Sequence, residues 1–306
     1  MMPRRLFGAL ALALALLPAA LRAQDEQAPT TTLRVDVKLV NVFVNVTDKN
    51  GALVGNLTRE NFALTEDGRP QTIAVFERQS ELPLNIALAI DTSGSVRKDM
   101  TEQVAAARNF VRALLRPQDQ MTLIDFATTV RELVPFTNKP AQIERGLSRL
   151  KGDYATALYD AIDLGARALG PKQGRKVLVL VSDGEDTANN TTYAEALEQA
   201  LRNEVIIYSI IDVPIAASAG RNTGGEHALI TLAEQTGGRS FYVAEGGLSK
   251  AFERVSDDLR TQYLLGYYPR NQEKGVGFHR IRVTVPRAAP DEFHVGHRTG
   301  YFVDQP

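Results

Sequence analysis

The stretch "LNIALAIDTSGSVRKDM", Leu84 to Met100, decides the fold. From Leu84 to Ile90 it is apolar except for Asn85, with no alternation of apolar and polar residues. Such a run fits a strand covered on both faces, as strands of parallel sheets are. At Asp91 the texture breaks. Asp91, Ser93 and Ser95 follow at every second position, and a basic, polar stretch then opens a helical pattern. A buried strand that delivers three oxygen-bearing side chains at its tip and runs into a helix is the first half of a strand–helix–strand unit.

The alternation continues downstream. Val104, Ala107, Phe110, Val111, Leu114 and Leu115 recur at helical spacing and predict a helix over Met100–Leu115. "QMTLIDFA" and "VRELVPF" predict strands, and Ile143–Leu150 and Ala155–Leu169 predict helices. "RKVLVLVSDGED" is a second buried strand that ends in acids. A helix over Tyr193–Arg202, the strand "EVIIYSIID", a helix over Ala228–Gln235, the strand "GRSFYVA" and a helix over Leu248–Leu259 complete the series. Strands alternating with helices predict an α/β fold with a doubly wound, mostly parallel sheet.

The flanks read differently. "LRVDVKLVNVFVNVTD" alternates valines with polar residues, "KNG" at Lys49–Gly51 and "EDGRP" at Glu66–Pro70 are turn signals, and Thr58–Asn61 suits a short helical turn. After Thr261, "QYLLGYYP", "FHRIRVTVP" and "FHVGHRTGYFV" predict three strands. The economical reading is a small β-sandwich-like domain in which residues 33–80 pair with residues 261–306, the α/β domain of residues 84–260 being inserted between them. A separate β unit at each end is the alternative.

Residues 1–23 read as a signal peptide and residues 24–32 as a flexible leader. Arg4 and Arg5 precede an apolar core from Leu6 to Leu17, and small residues up to Ala23 suit cleavage. That core falls short of the roughly 20 residues of a membrane span. An uncleaved anchor and a twin-arginine signal are the competing readings. The chain of 306 residues has no cysteine, so it has neither disulfides nor a lipid-bearing thiol. Export without disulfides suits a bacterial periplasmic or secreted protein, in which the Asn45, Asn56 and Asn190 triplets would carry no glycan. At a net charge of −1, without a basic run, nothing favours nucleic acid.

In open parallel sheets ligands bind beyond the carboxyl ends of the strands. The polar residues at those ends are Asp91, Ser93 and Ser95; Asp153 and Thr156 in "KGDYATALYDAI"; Asp183, Glu185 and Asp186 in "VSDGED"; and Asp212. Every one offers oxygen. Hard oxygen donors suit magnesium, with calcium or manganese possible, rather than zinc. Each group alone has a plainer explanation: Ser93, Ser95 and Thr156 as helix caps, "SDGED" as an Asp-Gly turn. Convergence of three loops on one edge favours the cation.

"DTSGS", the threonine before "ALYDAI" and "VSDGED" together resemble the von Willebrand factor type A family, over about Leu84 to Arg260. The flanking β segments resemble those of bacterial exported proteins related to that family. The resemblance implies a Rossmann-like fold and a metal-ion-dependent adhesion site at Asp91, Ser93, Ser95, Thr156 and Asp183. The hydroxyls would ligate the ion, and Asp91 and Asp183 would often act through water. The ion would capture a Glu or Asp of a protein partner. Glu185, Asp186 and Asp153 are then rim charges or solvated turn residues.

Catalysis finds less support. His227 lies in the Gly-rich "AGRNTGGEHAL", and His279, His294 and His297 lie in the C-terminal β segment without metalloprotease spacing. A haloacid-dehalogenase-type phosphotransferase needs D-x-D, where this chain has Ser93, and "GGLSK" lacks P-loop spacing. The alternatives to a binding module are a scaffold component of an envelope assembly, with Tyr263, Tyr267 and Tyr268 as contact residues, and a magnesium-dependent hydrolase. Oligomeric state is left open.

Overall fold

Alternation of valines with polar residues builds β1 (Val40–Asp48), the first strand of the computed structural model of the chain. The structure describes residues 39–78, 81–94, 100–188, 190–213, 223–269, 277–286 and 292–303; the signal peptide and leader read from the sequence lie outside them. A single 3₁₀ turn at Arg59–Asn61 leads to β2 (Ala63–Glu66), β3 (Arg69–Gln71) and β4 (Ile73–Arg78).

The α/β portion follows. It contains β5 (Leu84–Asp91), α1 (Met100–Leu114), β6 (Gln120–Phe126), β7 (Val130–Thr137), α2 (Pro140–Leu147), α3 (Leu158–Leu169), β8 (Arg175–Ser182), α4 (Tyr193–Arg202), β9 (Val205–Ile211), α5 (Thr223–Thr236), β10 (Ser240–Tyr242) and α6 (Gly247–Thr261). The strands form one sheet in the order β10-β9-β8-β5-β6-β7. All neighbours are parallel except β7, which folds back antiparallel on β6. Two of the helices begin three or more residues earlier than their periodicity predicts. Pro140 opens α2, where its missing N–H costs nothing. Thr223, Gly224 and Gly225 open α5 although glycines read as loop.

Why this sheet is covered on both faces is visible in β5. Ile86, Leu88 and Ile90 face one core with α1, α2 and α6. Ala87 and Ala89 face the other with α3, α4 and α5. β8 repeats the division, with Val177, Val179 and Val181 on the first face and Leu178 and Leu180 on the second. Period-2 geometry thus converts a continuous apolar run into two cores. Gly165 lets α3 approach closely, since a Cβ there would lie 2.9 Å from Leu178 Cδ1.

The last strands are β11 (Tyr263–Tyr267), β12 (Gly277–Thr284), β13 (Phe293–His297) and β14 (Gly300–Val303). They interleave with the first four in two antiparallel sheets, ordered β13-β1-β11-β4 and β14-β12-β2-β3. One apolar cluster joins them, with Val42, Val44 and Leu265 from one sheet and Leu64, Ile281 and Val283 from the other. The sequence predicts three C-terminal strands where the structure has four. "FHVGHRTGYFV" breaks at Arg298–Thr299 and changes sheets. There Arg298 turns inward, 7% exposed, to donate to the Asn41 carbonyl and pair with Glu204, while Thr299 N–H donates to the Gln235 carbonyl.

A buried polar cluster ties β1 to the large sheet. Asn45 and Gln262 both donate to the hydroxyl of Tyr208 on β9, at 2.9 and 3.2 Å, and all three residues are buried. Tyr208→Phe strands both amides in an apolar surround, which costs about 1–3 kcal/mol. Urea unfolding checks this; an unchanged midpoint would remove the cluster from the stability account.

Candidate functional site at the carboxyl edge of the sheet

β5 ends at Asp91 because the apolar run ends there, and the side chain stays at 0% exposure. Its Oδ1 accepts the Ser93 N–H at 2.9 Å, and its Oδ2 accepts the Ser182 hydroxyl at 2.7 Å. Burial pushes its pKa up to about 6; hydrogen bonds from Ser93 and Ser182 oppose this, and the charge of Asp183 adds to it. Ser182, the last residue of β8, accepts in turn the Gly184 N–H at 3.0 Å. The tips of β5 and β8 are therefore one hydrogen-bonded unit, and Asp183 sits within it.

The third loop joins through its backbone. Asp153 N–H donates to the Thr92 carbonyl at 3.2 Å, and Gly94 lies against the backbone of Asp153 and Tyr154. Thr92, 0% exposed, fastens the loop with a hydroxyl near Asp125, the Phe126 carbonyl and the Lys151 carbonyl. Thr156 is 1% exposed; its carbonyl accepts the N–H groups of Thr187 and Ala188, and its own N–H donates to Thr187 Oγ1 at 3.0 Å. Thr156 does not cap α3. The cap position is Ala157, and the Leu158 N–H is satisfied by Asp186 Oδ1 at 2.9 Å.

The structure thus brings Asp91, Ser93, Thr156 and Asp183 to one edge. Ser95 lies outside the described residues. Of the three rim residues, Asp186 is half-buried and spends its carboxylate on the start of α3, so it is a structural cap rather than a solvated turn residue. Burial raises its pKa against the N–H bonds of Leu158 and Tyr159. Glu185 is half-buried beside Asp183, whose Oδ1 accepts its N–H. Asp153 is exposed and accepts the Tyr154 N–H. Asp212 closes the edge from β9, accepting from Gln103 of α1 at 3.1 Å.

Sequence reasoning misses Ser182 and Thr92. Ser182 reads as the end of a strand and Thr92 as a spacer between motif positions; nothing in their spacing marks them. It also misses a cluster of Glu66, Asp67 and His279 in the β portion, the group of three titratable ligands found among the described residues. There His279 Nδ1 lies 2.8 Å from Asp67 and 3.4 Å from Glu66, Tyr301 donates to Glu66, and the Arg280 N–H donates to Asp67. These bonds hold the β2–β3 turn against β12.

Comparison with known proteins adds to the geometry. Residues 86–185 match the family model of the von Willebrand factor type A domain. A search of curated proteins gave no match. Among solved structures, a von Willebrand factor type A protein from Catenulispora acidiphila superposes with a TM-score of 0.51 at 11% identity, over 87% of this chain and 75% of that one. An aerotolerance-related membrane protein from Bacteroides fragilis gives 0.46 at 18% identity over 57% and 98%. The vWF domain of the type V pili tip protein Mfa5 from Porphyromonas gingivalis gives 0.45 at 13% over 57% and 94%. The matched residues run from β5 through the "DTSGS" loop and Thr156 to Glu185, so this stretch is similar to a von Willebrand factor type A domain, and the Catenulispora protein shares the fold around it.

Proposed function

We propose that this chain is an exported binding module that captures a Glu or Asp side chain of a protein partner through a divalent cation. Magnesium is the expected ion, with calcium or manganese as substitutes. Ser93, Ser95 and Thr156 would hold it through hydroxyls, with Asp91 and Asp183 close by. Bound there, the ion supplies a positive charge that neutral hydroxyls leave largely uncancelled, and so attracts a carboxylate.

The observation that carries this reading is the state of Asp91. A fully buried carboxylate beside a second carboxylate is a site short of positive charge. No Lys or Arg is paired with it among the described residues. Both its oxygens already accept hydrogen bonds, one from Ser93 N–H and one from Ser182. That fits a role behind the ligating hydroxyls, orienting them as outer groups do in metal sites. Thr156 supports the reading further, since capping does not occupy it.

Binding rather than catalysis is supported by the placement of the histidines. His227 is exposed on α5, and His279, His294 and His297 belong to the β portion. A periplasmic or released location rests on the leader sequence. No described helix is long and apolar enough to cross a membrane.

Thr156→Val tests the proposal. It removes one hydroxyl and keeps the branched shape. We expect magnesium affinity to fall by about 10-fold or more, on the scale of lost metal-site support, with the melting temperature of the metal-free protein nearly unchanged. Titration calorimetry with magnesium chloride and thermal melts read the two quantities. Equal affinity in variant and wild type would take Thr156 out of the site.

A further inference from the structure

The opposite edge of the same sheet holds a second polar site. A cavity of about 340 Å³ opens between the amino ends of β5 and β8 and the carboxyl ends of α1 and α6. Leu84, Leu114 and Leu259 form its apolar wall, and Arg116, Arg175, Arg260, Asp119 and Glu81 supply its charges. It lies a full strand length from Asp91.

Arg175 is the unusual member. It opens β8 and is only 3% exposed, yet no carboxylate pairs with it among the described residues. Its Nη1 donates to the Leu259 carbonyl in the last turn of α6, and its buried Nε–H has no acceptor. Burial pulls its pKa below the usual arginine value, with Arg116 adding to the effect. The two nearby acids are engaged elsewhere. Asp119 is fully buried and accepts the N–H groups of Leu84 and Arg116 and the Arg116 side chain at 3.1 Å. Glu81 lies 3.9 Å from Arg116. Arg260 donates to the Ala113 carbonyl at the end of α1.

A guanidinium buried with one neutral acceptor is strongly unfavourable unless an anion completes it. The charge balance indicates which anion. Three arginines meet two carboxylates, and the two helix ends, at about half a negative charge each, bring the cavity close to neutral, so it suits at most a single added negative charge. A doubly charged guest would overshoot. The leucine wall offers an apolar body a dry surface.

We propose that this cavity binds a monoanionic carboxylate carrying a small apolar group, with Arg175 as its principal anchor and Arg260 and Arg116 at its mouth. Arg175, with its Nε–H sealed and 3% of its surface exposed, offers the guest only part of its fork, and the exposed guanidinium groups of Arg260 and Arg116 complete the carboxylate's bonds. This site is independent of the cation reading at the other edge.

Hexanoate and inorganic phosphate, each titrated into the full chain to about 10 mM, test the proposal in the range where weak ligands saturate. Leucine methyl NMR reads the site directly, with chelator present so that the other edge plays no part. Hexanoate is expected to shift the methyls of Leu84, Leu114 and Leu259 saturably, and phosphate to bind at least 10-fold more weakly. Arg175→Gln is expected to weaken hexanoate at least 10-fold. Should that variant unfold by circular dichroism, Arg260→Gln, at an exposed position, is expected to weaken hexanoate several-fold. Absent or non-saturating methyl shifts, phosphate binding as tight as hexanoate, or an affinity unmoved in every folded variant would each overturn the proposal.

Discussion

Asp91→Asn is expected to abolish measurable magnesium binding while leaving the metal-free protein at least as stable as wild type at pH 7. The amide keeps the size of the side chain. It can still accept the Ser93 N–H, and it can donate to the Ser182 oxygen, which also accepts from Gly184. What it removes is a buried negative charge that either a proton or a bound cation would relieve. The pH dependence carries the sign. The folded-state pKa is raised, from 3.8 to about 6, so the folded chain holds this proton more tightly than the unfolded chain does. The stability associated with that proton is fully present below pH 3.8 and is lost as pH rises through about 6. Relative to wild type in chelator, the variant should therefore gain up to about 3 kcal/mol between those pH values and nothing below them, at 1.36 kcal/mol per pKa unit. Denaturant unfolding at several pH values measures the gain, and calorimetry measures the metal. A variant that still binds magnesium, or one that loses several kcal/mol at pH 7, would contradict this account of Asp91.

Gly184→Ala should act in the opposite way, losing stability and metal together. Gly184 has φ +85°, a region where side chains are strained. A Cβ there would lie 2.5 Å from the carbonyl carbon of Gly225 and 2.8 Å from its oxygen, so the start of α5 or the "SDGED" loop must move. Backbone strain and displacement together are expected to cost on the order of 3 kcal/mol. The Gly184 N–H also holds the Ser182 hydroxyl that holds Asp91, and Asp183 is its chain neighbour, so the same shift reaches the cation edge. Urea unfolding and magnesium titration of the one variant read both effects. Loss of stability with magnesium affinity intact would show that the loop and the edge are separable.

The contrast between these variants bears on what a sequence can disclose. The edge was legible because chain order in a doubly wound sheet forces the tips of β5 and β8 together, whatever the side chains do. That rule and their oxygen chemistry place Asp91, Ser93, Thr156 and Asp183 among nine candidates at the edge, and the resemblance to the von Willebrand factor type A family is what singles them out. Ser182 and Thr92 were not legible, because a hydroxyl at a strand end looks the same whether it holds a carboxylate or faces water. Asp186 reads as a rim charge or a solvated turn residue because its partner, the Leu158 N–H, is 28 residues away and appears only when α3 is placed. The early start of α5 was hidden by "TGG". Gly225, inside that helix, lies so close to Gly184 that a Cβ on Gly184 would meet its carbonyl, a contact that no local propensity encodes. In the β portion the break at Arg298 was invisible for the same cause. Its carbonyl acceptor, Asn41, is 257 residues distant.

The most direct test of the central claim is where a cation sits. Crystals grown with manganese, measured for anomalous scattering, should show one ion bounded by Ser93, Thr156 and Asp183, and no ion there in Asp91→Asn. An ion found instead at Glu66, Asp67 and His279, or wild-type crystals with no ion at the carboxyl edge, would contradict the claim.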